Sequence, residues 1–401
     1  MTEEINIKDY EYNLPDERIA QFPLKDRSSA KLLVYKQGAI SESKFENICE
    51  FIPRDSFLIF NNTKVINARI FFKKETGAKI EIFCLEPVEK RIEKAFASTD
   101  ECDWNCMVGN ASKWRNEDLQ KSFSIDDKPG KLFAKKIRNT NDGFVIKFTW
   151  DGNYCFSDVM IAAGSTPLPP YIKRSADETD NERYQTVFAD VEGSVAAPTA
   201  GLHFTDNVLQ NLKDHNITYG FLTLNVGAGT FKPMKTENIF EHKMHKESFS
   251  VNKGFLSNLL NSIGKNKVAV GTTSVRTLES LYWLGVLPDK IAKSNFAIGQ
   301  WEVYDYKNID LPDSKTAIEN LILYLENNDT DTIEGITSLM IVPGYKFKLV
   351  DVIITNFHLP SSTLLLLVSA YLGDNWKRVY DYALKNDFRF LSYGDSSILI
   401  R

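Results

Sequence analysis

The sequence predicts a mixed α/β protein: a large layered α/β/α domain carrying a small inserted β-barrel. Three observations point there. From about residue 190 onward, strands that are nearly all apolar alternate with helices, the pattern of a sheet covered on both faces. Residues 72–150 instead alternate apolar and polar positions with little helical periodicity, as a small barrel does. The unusual polar clusters each follow an apolar strand, and open α/β sheets bind their ligands beyond such strand ends. The expected division is 1–71 with 151–401 for the large domain and 72–150 for the insert.

Taken in order, Ala30–Tyr35 and Phe57–Phe60 read as strands, the second running into Asn61-Asn62-Thr63. Within the insert, Lys79–Leu85 and Gly143–Thr149 alternate strictly between polar turns. Tyr219–Val226 is a strand ending in Gly227-Ala228-Gly229, and Lys267–Val270 ends in Gly271-Thr272-Thr273-Ser274, with a helix from Val275 to about Leu284. Val350–Thr355 ends in Asn356-Phe357-His358. Ser361-Ser362-Thr363 then caps an apolar helix through Tyr371. Phe388–Leu391 reads as a last strand, ending in Ser392-Tyr393-Gly394-Asp395. Residues 285–335 read as a surface excursion.

A chain of 401 residues with 43% hydrophobic and 25% charged residues is ordinary globular material, long enough for two or three domains. The acidic first ten residues lack the apolar core of a secretory signal, and Thr363–Leu372 is half of a bilayer span. Five scattered cysteines without a zinc pattern fit reduced thiols, so a cytoplasmic protein is expected. The net charge of −5 argues against a protein that simply coats nucleic acid. The cluster Lys131, Lys135, Lys136 and Arg138 is the most basic part of the insert, and fits RNA contact or a solvated strand face.

The stretch 193–205, GSVAAPTAGLHFT, has no Lys, Arg, Asp or Glu and is rich in small residues that let a backbone approach a ligand closely. His203 stands within it and Thr199 and Gly201 flank it. Thr272, Thr273 and Ser274, with the N–H groups of the helix they open, suit an anion, while a GK[ST] phosphate loop is missing. Arg276 and Glu279, three apart on one helix face, form either a surface ion pair or a ligand contact. Four of five histidines (His203, His242, His245 and His358) lie in or beside the unusual loops, for structural bonding or for proton transfer. His242 and His245 have no third ligand of the zincin kind, so no metal is expected. No Gly-x-Ser-x-Gly elbow or Gly-x-Gly-x-x-Gly turn follows a suitable strand, which disfavours a serine hydrolase and a nicotinamide dehydrogenase.

Together, Tyr184–Val187 with Gly193–Thr205, Asn225–Phe231, His242–His245, Gly271–Ser280, Pro343–Phe347, Thr355–Pro360 and Ser392–Asp395 resemble the S-adenosylmethionine:tRNA ribosyltransferase-isomerases of the queuosine pathway. Asp9-Tyr10, Leu14-Pro15, Ile19–Gln21 and Ala68-Arg69 extend the resemblance over nearly the whole chain. Asn62 and Asn67 depart from it, standing where that family usually shows Asp and Pro. The resemblance implies an inserted barrel and a reaction in which the ribosyl moiety of S-adenosylmethionine passes to 7-aminomethyl-7-deazaguanine at the tRNA wobble position. The product is epoxyqueuosine, and adenine and methionine leave. S-adenosylmethionine is then a co-substrate with no resident cofactor, and the anticodon region of tRNA is the partner of a protein expected to be monomeric.

Residue chemistry supplies the role candidates. His203 and His358 lead as acid and base, with His242 and His245 next, and Asp395 orients a histidine or binds a ribose hydroxyl. Thr199, Gly201, Gly227, Gly229, Thr272, Thr273, Ser274, Arg276 and Asn356 are the substrate-binding candidates; Lys131, Lys135, Lys136 and Arg138 are the tRNA-binding ones. An S-adenosylmethionine-dependent RNA methyltransferase and a noncatalytic RNA-binding protein are the alternatives.

Overall fold

In a computed structural model, residues 5–88, 92–115, 117–140, 143–227, 234, 236–306 and 309–401 are described. The apolar strands assemble into a ten-stranded mixed sheet. At its centre Thr218–Leu224, Ser56–Asn61, Asn266–Val270 and Val352–Asn356 lie side by side, all parallel. Their carboxyl ends therefore open on one edge of the sheet, and the residues that follow them meet there.

Strand alternation divides these side chains between two apolar layers. Phe57, Ile59, Ala269 and Ile353 face one side, where they pack with the helices Lys253–Asn261, Thr272–Val286, Ser314–Asn327, Thr363–Leu372 and Asn375–Lys385. Leu58, Phe60, Val268 and Ile354 face the other. Phe45 and Ile48 of a short 3-10 helix and Val208 and Leu212 of helix Asp206–Asp214 cover them. Full burial of such side chains is worth roughly 1.5–3 kcal/mol each, so both layers hold the sheet against water.

The insert forms a six-stranded antiparallel sheet whose edge strands, Arg69–Lys73 and Leu119–Ile125, approach each other so that it nearly closes into a barrel. It encloses its own apolar cluster, which includes Trp104, Phe148 and Ile82 and also takes in Phe156, Val159 and Met160 of helix Phe156–Ala163.

Two expected features differ. Phe388–Leu391 is no strand: Phe390 makes one isolated bridge with Ile19, and Leu391 turns the chain at φ 70°. The last strand is Ser396–Ile400, inserted between Lys31–Lys36 and Val352–Asn356. Residues 285–335 are not an excursion over the surface either. Helix Ser314–Asn327 buries Ala317, Ile318, Leu321 and Leu325, and Thr332–Thr337 is a strand of the main sheet. Helix Ser314–Asn327 touches helix Thr272–Val286 so closely that a Cβ on Gly285 would lie 2.1 Å from the Ala317 carbonyl oxygen.

Candidate active site at the strand ends

The parallel strand ends frame a cleft with about 680 Å³ of empty space, part of it open to solvent. Ala197–Ala200, Val226, Gly271–Thr273, Thr355–Leu359, Leu391-Ser392 and Tyr171 line it. Segments more than 150 residues apart in sequence thus share one wall, including three of the motif loops.

The 193–205 segment is tied down by Ser194, whose Oγ donates to the Ala196 carbonyl (2.7 Å) and accepts from the Val226 amide (2.9 Å). Thr199 reaches the cleft; Gly201 does not. A Cβ there would lie 2.9 Å from both Phe188 and Thr186, so glycine is required for packing. His203 likewise lies outside this cleft. Its ring packs on Phe45 at 5.0 Å, is 4% exposed, and lines a second, smaller cleft with Arg27, Arg183 and Arg389. Burial pushes it down to about 4, with the Asp395 charge acting in the opposite direction.

Gly271, at φ 87°, lets its strand turn directly into helix Thr272–Val286, which begins three residues earlier than predicted. Thr272 and Thr273 line the cleft, and the buried Thr273 Oγ1 has no hydrogen-bond partner. Ser274 is spent inside the helix, donating to the Val270 carbonyl (2.8 Å). Arg276 and Glu279 do not pair. Glu279 accepts from Tyr345 Oη (2.8 Å) and from the amides of Lys348, Leu349 and Val350 (2.8, 3.0 and 3.0 Å), anchoring that loop. Burial raises its pKa above the usual carboxylate value, against those bonds. Arg276 instead makes a buried ion pair through Nη2 with Glu247, leaving Nε and Nη1 buried without partners.

Glu247 was not among the sequence candidates. Its carboxylate joins Arg276 to His245, whose Nε2 lies 3.1 Å from Glu247 Oε1. His245 stays partly exposed, and a Cβ on Gly227 would lie 3.5 Å from its ring. None of these three side chains lines the cleft: the chain lies behind it, with Arg276 one helical turn on from Thr272-Thr273 and His245 against Gly227, the residue after the lining Val226. The signal was readable as His-x-Glu entering the strand Glu247–Asn252, with one residue between, the spacing that places two side chains on one face. His242 is half-buried, which lowers its pKa, and the neighbouring His245 adds to that. Gly229 lies outside the described residues.

His358 lines the cleft itself, with Nε2 3.0 Å from Thr355 Oγ1. Burial pushes its pKa down to about 3, so its ring is neutral near neutral pH. The His358 carbonyl accepts from Tyr12, and its amide donates to Tyr380 Oη (3.1 Å), fixing the turn. Asn356 donates to the Leu391 carbonyl (2.9 Å), and its side chain also meets His203, whose charged form it favours. Asp395 is committed to backbone, accepting from the amides of Lys31 (3.1 Å) and Arg389 (2.7 Å) and from the Arg389 guanidinium (3.1 Å). Asn62, one of the departures, accepts from Thr223 Oγ1 (2.7 Å) at a neighbouring strand end.

On the barrel, Lys131, Lys135 and Arg138 are exposed, and Lys135 stands in register beside Lys147. Lys136 is different. It donates to the Trp114 carbonyl (2.9 Å) and lies over the Trp114 and Phe144 rings, 4.9 and 4.6 Å from their centroids. Among the described residues, no three His, Cys, Asp or Glu side chains gather as a metal-binding group. No helix among them is long and apolar enough to cross a membrane.

The sequence model of a family described as "Queuosine biosynthesis protein" matches residues 7–399. An S-adenosylmethionine:tRNA ribosyltransferase-isomerase of Sulfurihydrogenibium sp. is 37% identical over 99% of this chain and 100% of its own length. One of the same name from Clostridioides difficile is also 37% identical, over 98% of this chain and 99% of its own. A crystal structure of an S-adenosylmethionine tRNA ribosyltransferase from Thermotoga maritima is 27% identical over 98% of this chain and 100% of that one, with a TM-score of 0.45. Matched from near its first residue to near its last, this chain belongs to the queuosine biosynthesis protein family.

Proposed function

We propose that the chain transfers and isomerises the ribosyl moiety of S-adenosylmethionine onto 7-aminomethyl-7-deazaguanine in the tRNA anticodon, giving epoxyqueuosine with release of adenine and methionine. The family match supports the enzyme class. The observation that carries the site is the single cleft shared by the 197–200, 271–273 and 355–359 loops at the parallel strand ends. It is a concave, largely apolar space with a few unpartnered polar atoms, as a small-molecule site requires.

S-adenosylmethionine lies in this cleft, with the start of helix Thr272–Val286 and Thr273 Oγ1 offering free polar groups. The reaction needs a base for the proton on the 5′-carbon beside the sulfonium and an acid for the departing adenine. His245 is proposed for proton transfer, because a carboxylate fixes its ring while leaving it reachable. Glu247 positions it, and Arg276 holds Glu247. His358, neutral and in the cleft wall, is proposed to contact substrate by hydrogen bonding. The target base is extruded into the cleft. Residues 72–150 are proposed as an inserted domain in a monomeric, cytoplasmic enzyme, with Lys131, Lys135 and Arg138 meeting tRNA phosphates.

The test is incubation with S-adenosylmethionine and tRNA carrying the deazaguanine precursor, followed by mass analysis of nucleosides and small products. Epoxyqueuosine, free adenine and methionine support the proposal. Adenosylhomocysteine with a methylated nucleoside would assign the chain to the methyltransferases instead.

A further inference from the structure

We propose that the second cleft, beside the first, holds a phosphate of the RNA substrate. It is small, about 290 Å³ and partly open, and Arg27, Arg183, Arg389 and His203 line it. Of the buried carboxylates nearby, Asp395 is engaged by Arg389 and two backbone amides, and Asp180, bonded to the cleft-lining Tyr393, is held by Arg174. The exposed Glu182 and Asp26 add only solvated negative charge.

The arginines are held in place by backbone. Arg27 donates to the Gln185 carbonyl (2.7 Å), and Arg183 donates to the carbonyls of Lys25 (3.1 Å) and Leu24. They are near enough to repel: Arg27 is pulled below the ordinary arginine range by burial first and by Arg183 next. An oxyanion relieves that repulsion, and planar guanidinium forks match its oxygens. His203, buried in the wall of the cleft and neutral, adds no opposing charge.

Geometry favours RNA as the source of the phosphate. Ser392 lines both clefts, so the two adjoin and a phosphate here stands beside a base extruded into the reaction cleft. Phe22, next to the cleft-lining Pro23, is 60% exposed and carries the Arg174 guanidinium over its ring at 4.4 Å. An exposed aromatic beside a cationic groove is how proteins hold unpaired nucleotides. The inference rests on the tRNA-modifying reading of the chain.

The experiment measures tRNA binding by the full chain over a salt series, with S-adenosylmethionine affinity measured separately by calorimetry. Arg27→Gln and Arg183→Gln should each weaken tRNA binding about tenfold and reduce the slope of log K against log salt by about 0.7–0.9. Affinity for S-adenosylmethionine should stay at the wild-type value. Arg27→Lys, which keeps the charge and loses the fork, should retain the slope with an intermediate affinity, and it serves if a Gln variant fails to fold. Wild-type affinity and slope in folded variants overturn the proposal. So does a loss confined to S-adenosylmethionine, which would hand the pocket to that molecule's carboxylate. Arginine-dependent tRNA binding by a chain that releases no adenine would defeat the enzymatic reading and leave the phosphate site standing.

Discussion

Glu247 and Arg276, 29 residues apart in sequence, meet as an ion pair with both side chains out of water. Neither can be removed quietly, because the remaining charge would be buried alone. Arg276→Ala should cost about 3–5 kcal/mol in urea unfolding, the usual scale for breaking such a pair. Wild-type stability in this variant would mean that the pair is not buried in solution.

Thr273→Val tests the cleft without that penalty. The hydroxyl is buried and unpartnered, so its loss leaves no orphaned group in the free protein. The melting temperature should hold, while affinity for S-adenosylmethionine should fall by about tenfold, the value of one ordinary-to-strong hydrogen bond. Unchanged affinity would place the ligand elsewhere.

Acid should destabilise the fold through two histidines. His203 and His358 are pushed by burial from 6.5 to about 4 and about 3, so both are neutral when folded. Below pH 6.5 the unfolded chain binds protons that the folded chain refuses, so their contribution is full above that value and lost as pH falls through it toward 4 and 3. Each contributes a slope of about 1.4 kcal/mol per pH unit. His358→Gln should flatten the stability curve by one proton between pH 6 and pH 4; a slope equal to wild type would contradict the burial argument.

The barrel cations should separate. Lys135→Ala should lower the salt slope of tRNA binding by about 0.7–0.9 without loss of stability. Lys136→Ala should instead lower stability by about 1 kcal/mol, since it removes a carbonyl bond and two ring contacts. Equal effects from both would refute the division.

Much of this arrangement was legible in the chain. The parallel strands could be read because both faces are covered, leaving apolar runs such as Phe57–Phe60 and Lys267–Val270 that end at motif loops. What escaped was set by long-range packing. Glu247 looks like any polar strand residue until Arg276 arrives from another element, and Arg276 beside Glu279 gives the wrong partner because Glu279 is drawn to three backbone amides. His203 was misplaced for a related reason. Small neighbours promise open space, yet Gly201 is small to admit Phe188 and Thr186, and the histidine turns into the arginine-lined cleft. Phe388–Leu391 has strand composition, but Leu391 is turned by a left-handed backbone that composition does not announce.

The most direct measurement is single-turnover adenine release by His245→Asn with saturating tRNA and S-adenosylmethionine. If His245, held by Glu247, is where the proton moves, the rate should fall about a hundredfold or more while both substrates still bind. Adenine release at the wild-type rate would contradict this and pass the role to His358 in the cleft wall.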